Sequence, residues 1–334
     1  MTYLDRGIRV GHWDLENRLV MAPVAMGKSD AGKVSPALLE QYDERTKGGY
    51  IGLVVIEHSF VRADGRANPN QLSAAEDADI PGLTALAQRV HANGSKVILQ
   101  INHAGGAVKE GVTGQESISP SGIQSPFGAL GAGVIQPARA MTQADIYEII
   151  ACFAQAAVRA QKAGFDGCEI HCAHGYLLNQ FYSPLTNRRT DAYTGDTMEG
   201  RTRLPLQVIE AVRAAVGDAF LLSMRFGGCD YAPGGSTIAE AAWAARAYEE
   251  AGLDVLDVSG GLCFYTRKGH TESGYFSDLS QAVKQAVDIP VIVAGGVTTR
   301  QEAEALLHAQ KADMIGVGRA IMQNPGWAKT AMSE

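Results

Sequence analysis

Charge is scarce in this sequence: 19% of its 334 residues are charged, the formal net charge is -7, and no block of lysine and arginine stands out. That balance argues against a nucleic acid or an anionic membrane as the main partner. Long apolar runs are missing too. No uninterrupted run has the length needed to span a bilayer, and the opening MTYLDRGIRV lacks the apolar centre of a secretion signal. A soluble, cytoplasmic protein is expected. Cysteine is sparse and odd in number: Cys152, Cys168, Cys172, Cys229 and Cys263 form no CxxC pair and no even framework. A disulfide scaffold is therefore not expected, and the thiols read as reduced and structural. What the chain does have is 46% hydrophobic residues, enough at this length for a large core and against disorder.

Those hydrophobic residues are distributed in a pattern. Short β-branched runs at 19–23, 52–57, 96–103, 167–172, 220–226, 255–259, 290–295 and 314–317 each precede a stretch patterned as a helix. Runs such as VILQI and PVIVAGG are apolar throughout, as parallel strands covered by helices must be. Eight strand–helix units predict an α/β fold, an eight-stranded parallel β/α (TIM) barrel, in preference to a doubly wound open sheet. No linker divides the chain, so residues 1–334 read as one barrel domain. Thr142 and Thr299 stand three places before Asp145 and Glu302, the spacing of a capping box. After Thr142, Ile146, Ile149, Ile150, Phe153, Ala157 and Val158 repeat at helical spacing up to a stop at Gly164. The Gly-, Ser- and Pro-rich segment 104–141 follows the third strand. It is expected at the C-terminal mouth of the barrel as a lid or substrate wall.

The densest polar cluster follows the fourth strand, where GFDGCEIHCAHGYLLNQFYSPLTNRRTDAYTG places His171, His174 and Tyr176. Two neutral imidazoles there can hold one carbonyl oxygen as negative charge grows on it, and a phenol can deliver a proton. A metal reading, with Glu169 or Cys172 joining the histidines, lacks any firm ligand spacing, and no metal is expected. Further on, PVIVAGGV and ADMIGVGRA each end a strand in glycine before a helix, so Gly295, Gly296, Gly318 and Arg319 form a candidate phosphate clamp. VSGG, with Gly260 and Gly261, offers a third turn. Gln100 and Arg225 are polar positions on strands that are otherwise apolar. Either the amide edge of a flavin ring or an internal salt bridge to Glu57 or Glu169 would satisfy them.

With these residues in view, the sequence resembles the old yellow enzyme family of FMN-dependent oxidoreductases, in the branch that includes the barrel of 2,4-dienoyl-CoA reductase. NRLVMAP, KGGYIGLVVIE, QINHAGG, the long histidine motif, MRFG, VSGG, AGGV and GVGRA occur in the family's order over nearly the whole chain. The resemblance implies bound FMN, with Pro23, Val24 and Ala25 along the ring and His58 in the pocket. Gln100 and Arg225 would lie at the pyrimidine side, and Gly260, Gly261, Gly295, Gly296, Gly318 and Arg319 at the turns. It implies NADH or NADPH as hydride donor and a small unsaturated carbonyl compound as acceptor, held by His171 and His174. Hydride would go to the β-carbon, and Tyr176 would protonate the α-carbon. Homo-oligomerisation is left open.

The sequence departs from the family at several places. Ala25 stands where many relatives have Thr or Cys, Gly27 where some have an aromatic, and His58 where a small residue is usual. Larger relatives continue into an iron–sulfur centre and nucleotide-binding domains. This chain stops at AMSE, so a barrel alone is expected. Two other readings remain: a flavin-free barrel lyase or isomerase, and a flavin-binding protein without turnover.

Overall fold

The computed structural model describes residues 2–125 and 134–333. A short antiparallel hairpin, β1 (Ile8–Val10) and β2 (Trp13–Leu15), precedes β3 (Leu19–Met21), α1 (Pro36–Thr46), β4 (Leu53–Phe60), α2 (Ile80–Ala92) and β5 (Lys96–Asn102). Then come β6 (Ser117–Ser119), β7 (Ala138–Ala140), α3 (Gln143–Lys162), β8 (Gly167–Cys172), α4 (Leu177–Tyr182) and α5 (Met198–Val216). The chain continues through β9 (Leu221–Gly227), α6 (Ile238–Glu250), β10 (Val255–Ser259), α7 (Ser277–Lys284), β11 (Val291–Ala294), α8 (Arg300–His308), β12 (Met314–Val317), α9 (Arg319–Gln323) and α10 (Trp327–Ser333). Strands β3, β4, β5, β8, β9, β10, β11 and β12 close into a barrel in which every neighbouring pair is parallel. These are the eight strands expected from the sequence, and β8, β10 and β12 have the expected ends.

The two faces of each strand have different neighbours. Outward residues such as Val54, Ile56, Leu99, Ile170, Met224 and Val293 join the helices in one large core. Inward residues Val20, Leu53, Val55, Ile98, Leu221, Val255, Ile292 and Met314 form a second cluster, closed from below by Val10 and Leu15 of the hairpin. Each such side chain, when fully buried, contributes roughly 1.5–3 kcal/mol, so the N-terminal half of the interior is a dry plug. Two residues further along β5, β8, β9 and β10 the inward column turns polar, with Gln100 and Asn102 on β5, Glu169 and His171 on β8, Ser223 and Arg225 on β9, and Asp257 and Ser259 on β10, whereas past Val20, Ile292 and Met314 it carries the small residues Ala22, Ala294 and Gly316. The register aligns Gln100 with Glu169 and Ser223, and His171 with Arg225 and Asp257. Polar chemistry is thus confined to the C-terminal end, where the strand-to-helix loops converge.

Helix starts follow local hydrogen bonding. The Thr142 hydroxyl accepts from the Asp145 N–H, and the Asp145 carboxylate accepts from the Thr142 N–H. The same exchange joins Thr299 to Glu302 and Thr237 to Glu240. Beyond α3, Gly164 takes φ +86°, a conformation that favours glycine. Ile146, Ile149, Phe153 and Ala157 are buried, while Ile150 and Val158 are only partly so.

Segment 104–141 leaves the C-terminal end of β5. β6 and β7 pair within it, and Arg189 gathers its later half by donating to the Pro120 and Met141 carbonyls at 2.8 and 2.6 Å. Its first residues, Ala104 and Val108, pack with Ala67 against Tyr176. The part of this segment at 126–133 lies outside the described residues. Among the described residues no helix is long and apolar enough to cross a membrane.

Candidate active site

β8 ends by lifting His171 into the mouth, and the turn after it carries His174 at φ +59°, a left-handed conformation rare for a residue with a side chain. The His171 ring lies 5.1 Å from that of His174 and 5.0 Å from that of Tyr176, both nearly edge-on. The three candidate chemical residues therefore form one cluster. The Ala173 N–H donates to His171 Nδ1 at 3.2 Å, so Nδ1 is the unprotonated nitrogen and Nε2 carries the hydrogen. His174 Nε2 meets the Ser259 hydroxyl at 2.7 Å, and its backbone N–H donates to the Gly260 carbonyl at 3.2 Å. Burial, with Arg225 and the neighbouring imidazoles adding repulsion, holds both histidines well below the usual imidazole range, so they are neutral donors. Burial pushes the Tyr176 phenol up to about 12, and it keeps its proton at neutral pH.

At the base of this cluster lie Gln100, in register with Glu169, and Arg225, in register with His171. The Gln100 amide donates to Glu169 at 2.7 Å, and the Ser223 hydroxyl donates to the other carboxylate oxygen at 2.8 Å. Arg225 is paired with Asp257 and donates to the Ser259 hydroxyl at 3.4 Å. Of the two internal partners expected, Glu169 is found on Gln100. Glu57 instead accepts the Met26 N–H at 2.7 Å, tying the segment after β3 to β4. Burial raises Glu169 and Asp257 above the usual carboxylate range; the Asp257 charge raises Glu169 further, and Arg225 opposes the shift in both. The Arg225 Nε, the Asp257 Oδ1 and the Asn102 Oδ1 are buried without a partner among the described residues.

The segment after β3, the turns after β11 and β12, and Arg319 form a second group, while Gly260, Gly261 and His58 stay with the histidine cluster. Pro23 and Val24 are half-buried and Ala25 is exposed. A Cβ on Gly318 would come within 2.9 Å of Val24, and one on Gly295 or Gly296 within 2.9 or 3.0 Å of the Tyr275 ring. Arg319 donates to the Tyr275 hydroxyl at 3.0 Å, and that hydroxyl donates to the Tyr265 carbonyl at 2.7 Å. Tyr275 thus unites the turns after β11 and β12, and Tyr265 carries the link to within 6.2 Å of the His174 ring. Gly260 and Gly261 pack closely on Cys263, Phe264 and Asp230, and the Gly260 carbonyl accepts the His174 N–H. His58 lies against Tyr176 and His171. Cys172 points into the outer core and does not join the histidines.

Asp257, Ser259 and Tyr275 were missed by sequence reasoning. The first two carry a signal, since they alternate in VLDVS in the same way that Glu169 and His171 alternate in GCEIHC. Tyr275 sits in an irregular loop and has none.

Glu57 gives this site a pH dependence. Burial pushes its carboxyl from 4.5 up to about 7, although the Met26 N–H opposes the shift. The folded state therefore holds a proton that the unfolded chain releases above 4.5, and stability falls as pH rises from about 4.5 through 7. A shift of that size corresponds to about 3 kcal/mol. Glu57→Gln, which can still accept from Met26, should raise stability at pH 8 by roughly 2–3 kcal/mol and have little effect at pH 4.5, read by urea unfolding. A difference independent of pH would contradict a titrating Glu57.

A parallel barrel with neutral imidazoles and a protonated phenol among buried polar groups, and glycine turns after the last two strands, is the arrangement that the sequence motifs led us to expect. Comparison with known proteins agrees. Residues 4–334 match the model of the NADH:flavin oxidoreductase / NADH oxidase family. The chain is 39% identical to the NADH oxidase of Thermoanaerobacter brockii over 97% of its own length and 50% of the relative's. It is 36% identical to the NADPH dehydrogenase of Halalkalibacterium halodurans over 100% of its own length and 93% of the relative's. A solved complex of 2-naphthoyl-CoA reductase with 2-naphthoyl-CoA superposes with a TM-score of 0.91 at 27% identity, over 99% of this chain and 52% of that one. The chain belongs to the NADH:flavin oxidoreductase family, the old yellow enzyme family, as its motifs implied. It spans about half the length of the first relatives it matches.

That family binds FMN and uses NADH or NADPH. The residues present fit such a group. Arg225 Nε and Asp257 Oδ1 are unpartnered polar atoms beneath the mouth, and the crowded glycines leave two backbone turns bare beside Arg319.

Proposed function

We propose that the chain is an NAD(P)H-dependent ene-reductase acting on α,β-unsaturated carbonyl compounds. The observation that supports it is the cluster of His171, His174 and Tyr176, two neutral imidazoles and a phenol that retains its proton, at the C-terminal mouth. Gln100 and Arg225 would hold the polar edge of the FMN ring, and Arg319 with the turns at 295–296 and 318–319 its phosphate. Bound FMN supplies hydride transfer from NADH or NADPH to the β-carbon.

The protein's part is alignment and charge stabilisation. His171 Nε2–H and the His174 ring would hold the substrate oxygen, where negative charge develops as hydride arrives. Neutral imidazoles suit this task at pH 7, because each keeps one N–H to donate without placing a further buried cation beside Arg225. Tyr176 would hold its proton at the α-carbon, and the Ala173 N–H would keep His171 in its donating tautomer.

The test is a pair of separate anaerobic half-reactions. FMN-loaded protein is reduced by NADH or NADPH, and the reduced form is then mixed with an enone, an enoyl thioester or a nitroalkene while flavin absorbance is followed. Reoxidation by at least one of these without oxygen is expected. A reduced protein that is reoxidised by oxygen alone would rule out alkene reduction. Combining His171→Ala with His174→Ala should lower the rate of enone reoxidation by about 10²–10³, the scale of removing preorganised donors to a developing oxyanion.

A further inference from the structure

One imidazole beside Tyr176 has no part in that scheme. His58 follows Glu57 near the end of β4 and is buried. Its ring is 25° from parallel with Tyr176, at 5.4 Å between centroids, and edge-on to His171 at 6.2 Å. His58 Nδ1 faces the Gln71 amide nitrogen at 2.9 Å and the Asn102 amide nitrogen at 3.3 Å. The Gln71 side chain is not free to turn, because its Oε1 accepts the Ala67 N–H at 2.6 Å while its Nε2 also donates to the His58 carbonyl at 3.2 Å. Nδ1 is therefore an acceptor, and the hydrogen of the neutral ring sits on Nε2. Burial pushes the imidazole down to about 4, so it stays neutral at physiological pH. A ring kept only to stack on a phenol needs no such tautomer lock. Two amides committed to Nδ1 are useful when Nε2–H has an acceptor to meet.

We infer that His58 is a third hydrogen-bond donor of the site and that the substrate is an alkene flanked by two oxygen-bearing groups, such as an ene-dione or an unsaturated cyclic imide. One oxygen would lie on His171 and His174, and the second on His58 Nε2–H. The ring spacing supports two oxygens on different carbons. His171 and His174, 5.1 Å apart, suit one shared oxygen, whereas His58 stands 6.2 Å from His171. Tyr176 lies against both His58 and His171, so its proton is held near the bond between the two oxygen-bearing groups. The inference rests on the alkene-reduction reading and names its substrate class. A substrate with one oxygen leaves the His58 Nε2–H without that acceptor and binds less well.

Maleimide and 2-cyclopentenone test it as substrates, and their saturated forms succinimide and cyclopentanone as non-reacting probes, whose binding to the FMN-loaded protein is read by flavin absorbance or calorimetry. Succinimide should bind at least about ten-fold more tightly than cyclopentanone, and His58→Phe should lower kcat/KM for maleimide more than for 2-cyclopentenone by a similar factor. His58→Phe keeps an aromatic ring on Tyr176 and removes the donor, so the ratio of the two dissociation constants should fall toward one. His58→Gln, which restores an N–H, should recover part of it. FMN content and melting temperature show whether each variant is folded. Equal binding of the two probes by the native protein, or a His58→Phe change that shifts both by the same factor, would overturn the inference. A succinimide preference lost in His58→Phe, without turnover of either alkene, would establish the donor and remove the reductase reading.

Discussion

Tyr176→Phe should slow the transfer from reduced protein to enone by about 10²–10⁴, the range for loss of a positioned general acid, while reduction by NADH or NADPH changes by less than about three-fold. The asymmetry follows from what each half-reaction needs. Alkene reduction requires a proton at carbon, and hydride transfer from a nicotinamide does not. Tyr176 carries that proton at neutral pH, with its phenol pushed up to about 12 by burial, and it stands at the N-cap of α4. Its hydroxyl makes no cap hydrogen bond there. Phenylalanine keeps the packing against Ala67, Ala104 and Val108, so a lost rate cannot be assigned to a collapsed loop. Stopped-flow absorbance on the two half-reactions reads the split. Equal losses in both would remove Tyr176 from proton delivery and leave it a packing role. In deuterated solvent the native protein should also place deuterium on one face of the α-carbon, a selectivity the variant should lose as solvent supplies the proton.

Much of this was legible in the sequence because barrel strands announce themselves by composition. A strand covered on its outer face by helices and on its inner face by other strands must be apolar at both ends of its side-chain alternation, and runs such as VILQI carry that signature without help from long-range contacts. The histidine cluster was legible for a related reason, since three polar rings just past a strand end are costly unless the site uses them. Asp257 and Ser259 were harder. VLDVS reads as one more covered strand, and what makes Asp257 part of the site is Arg225 on the adjacent strand, 32 residues away. Tyr275 was out of reach altogether. It meets Arg319 across 44 residues from a loop with no periodicity, and only the closure of the barrel brings the two together. His58 was visible as a departure from the family. Its stacking on Tyr176 and its fixed tautomer depend on Gln71 and Asn102, which nothing in the local sequence marks as partners.

Arg225 leads to the largest effect expected on stability. Replacing it with methionine keeps the length of the side chain and leaves Asp257 fully buried without its cation, and breaking such a pair from one side costs about 3–5 kcal/mol. The loss should depend on pH in a definite direction. Burial already raises Asp257 above its ordinary 3.8, and without Arg225 the carboxyl rises further. The folded variant then holds a proton that the unfolded chain gives up above 3.8, so the penalty is small near pH 4 and grows as pH rises through the folded value. Urea unfolding of the FMN-free chain at pH 5 and pH 8 should show the variant losing more at pH 8. Asp257→Asn combined with Arg225→Met should recover most of the loss, because neither charge then remains buried, and the cycle of single and double variants gives the coupling directly. Glu169 lies in the same interior and is itself raised by burial and by Asp257, so removing the Asp257 charge should also lower Glu169 toward the ordinary range. A penalty equal at both pH values, with no recovery in the double variant, would mean that Arg225 stabilises the barrel through packing of its stem and not through its charge.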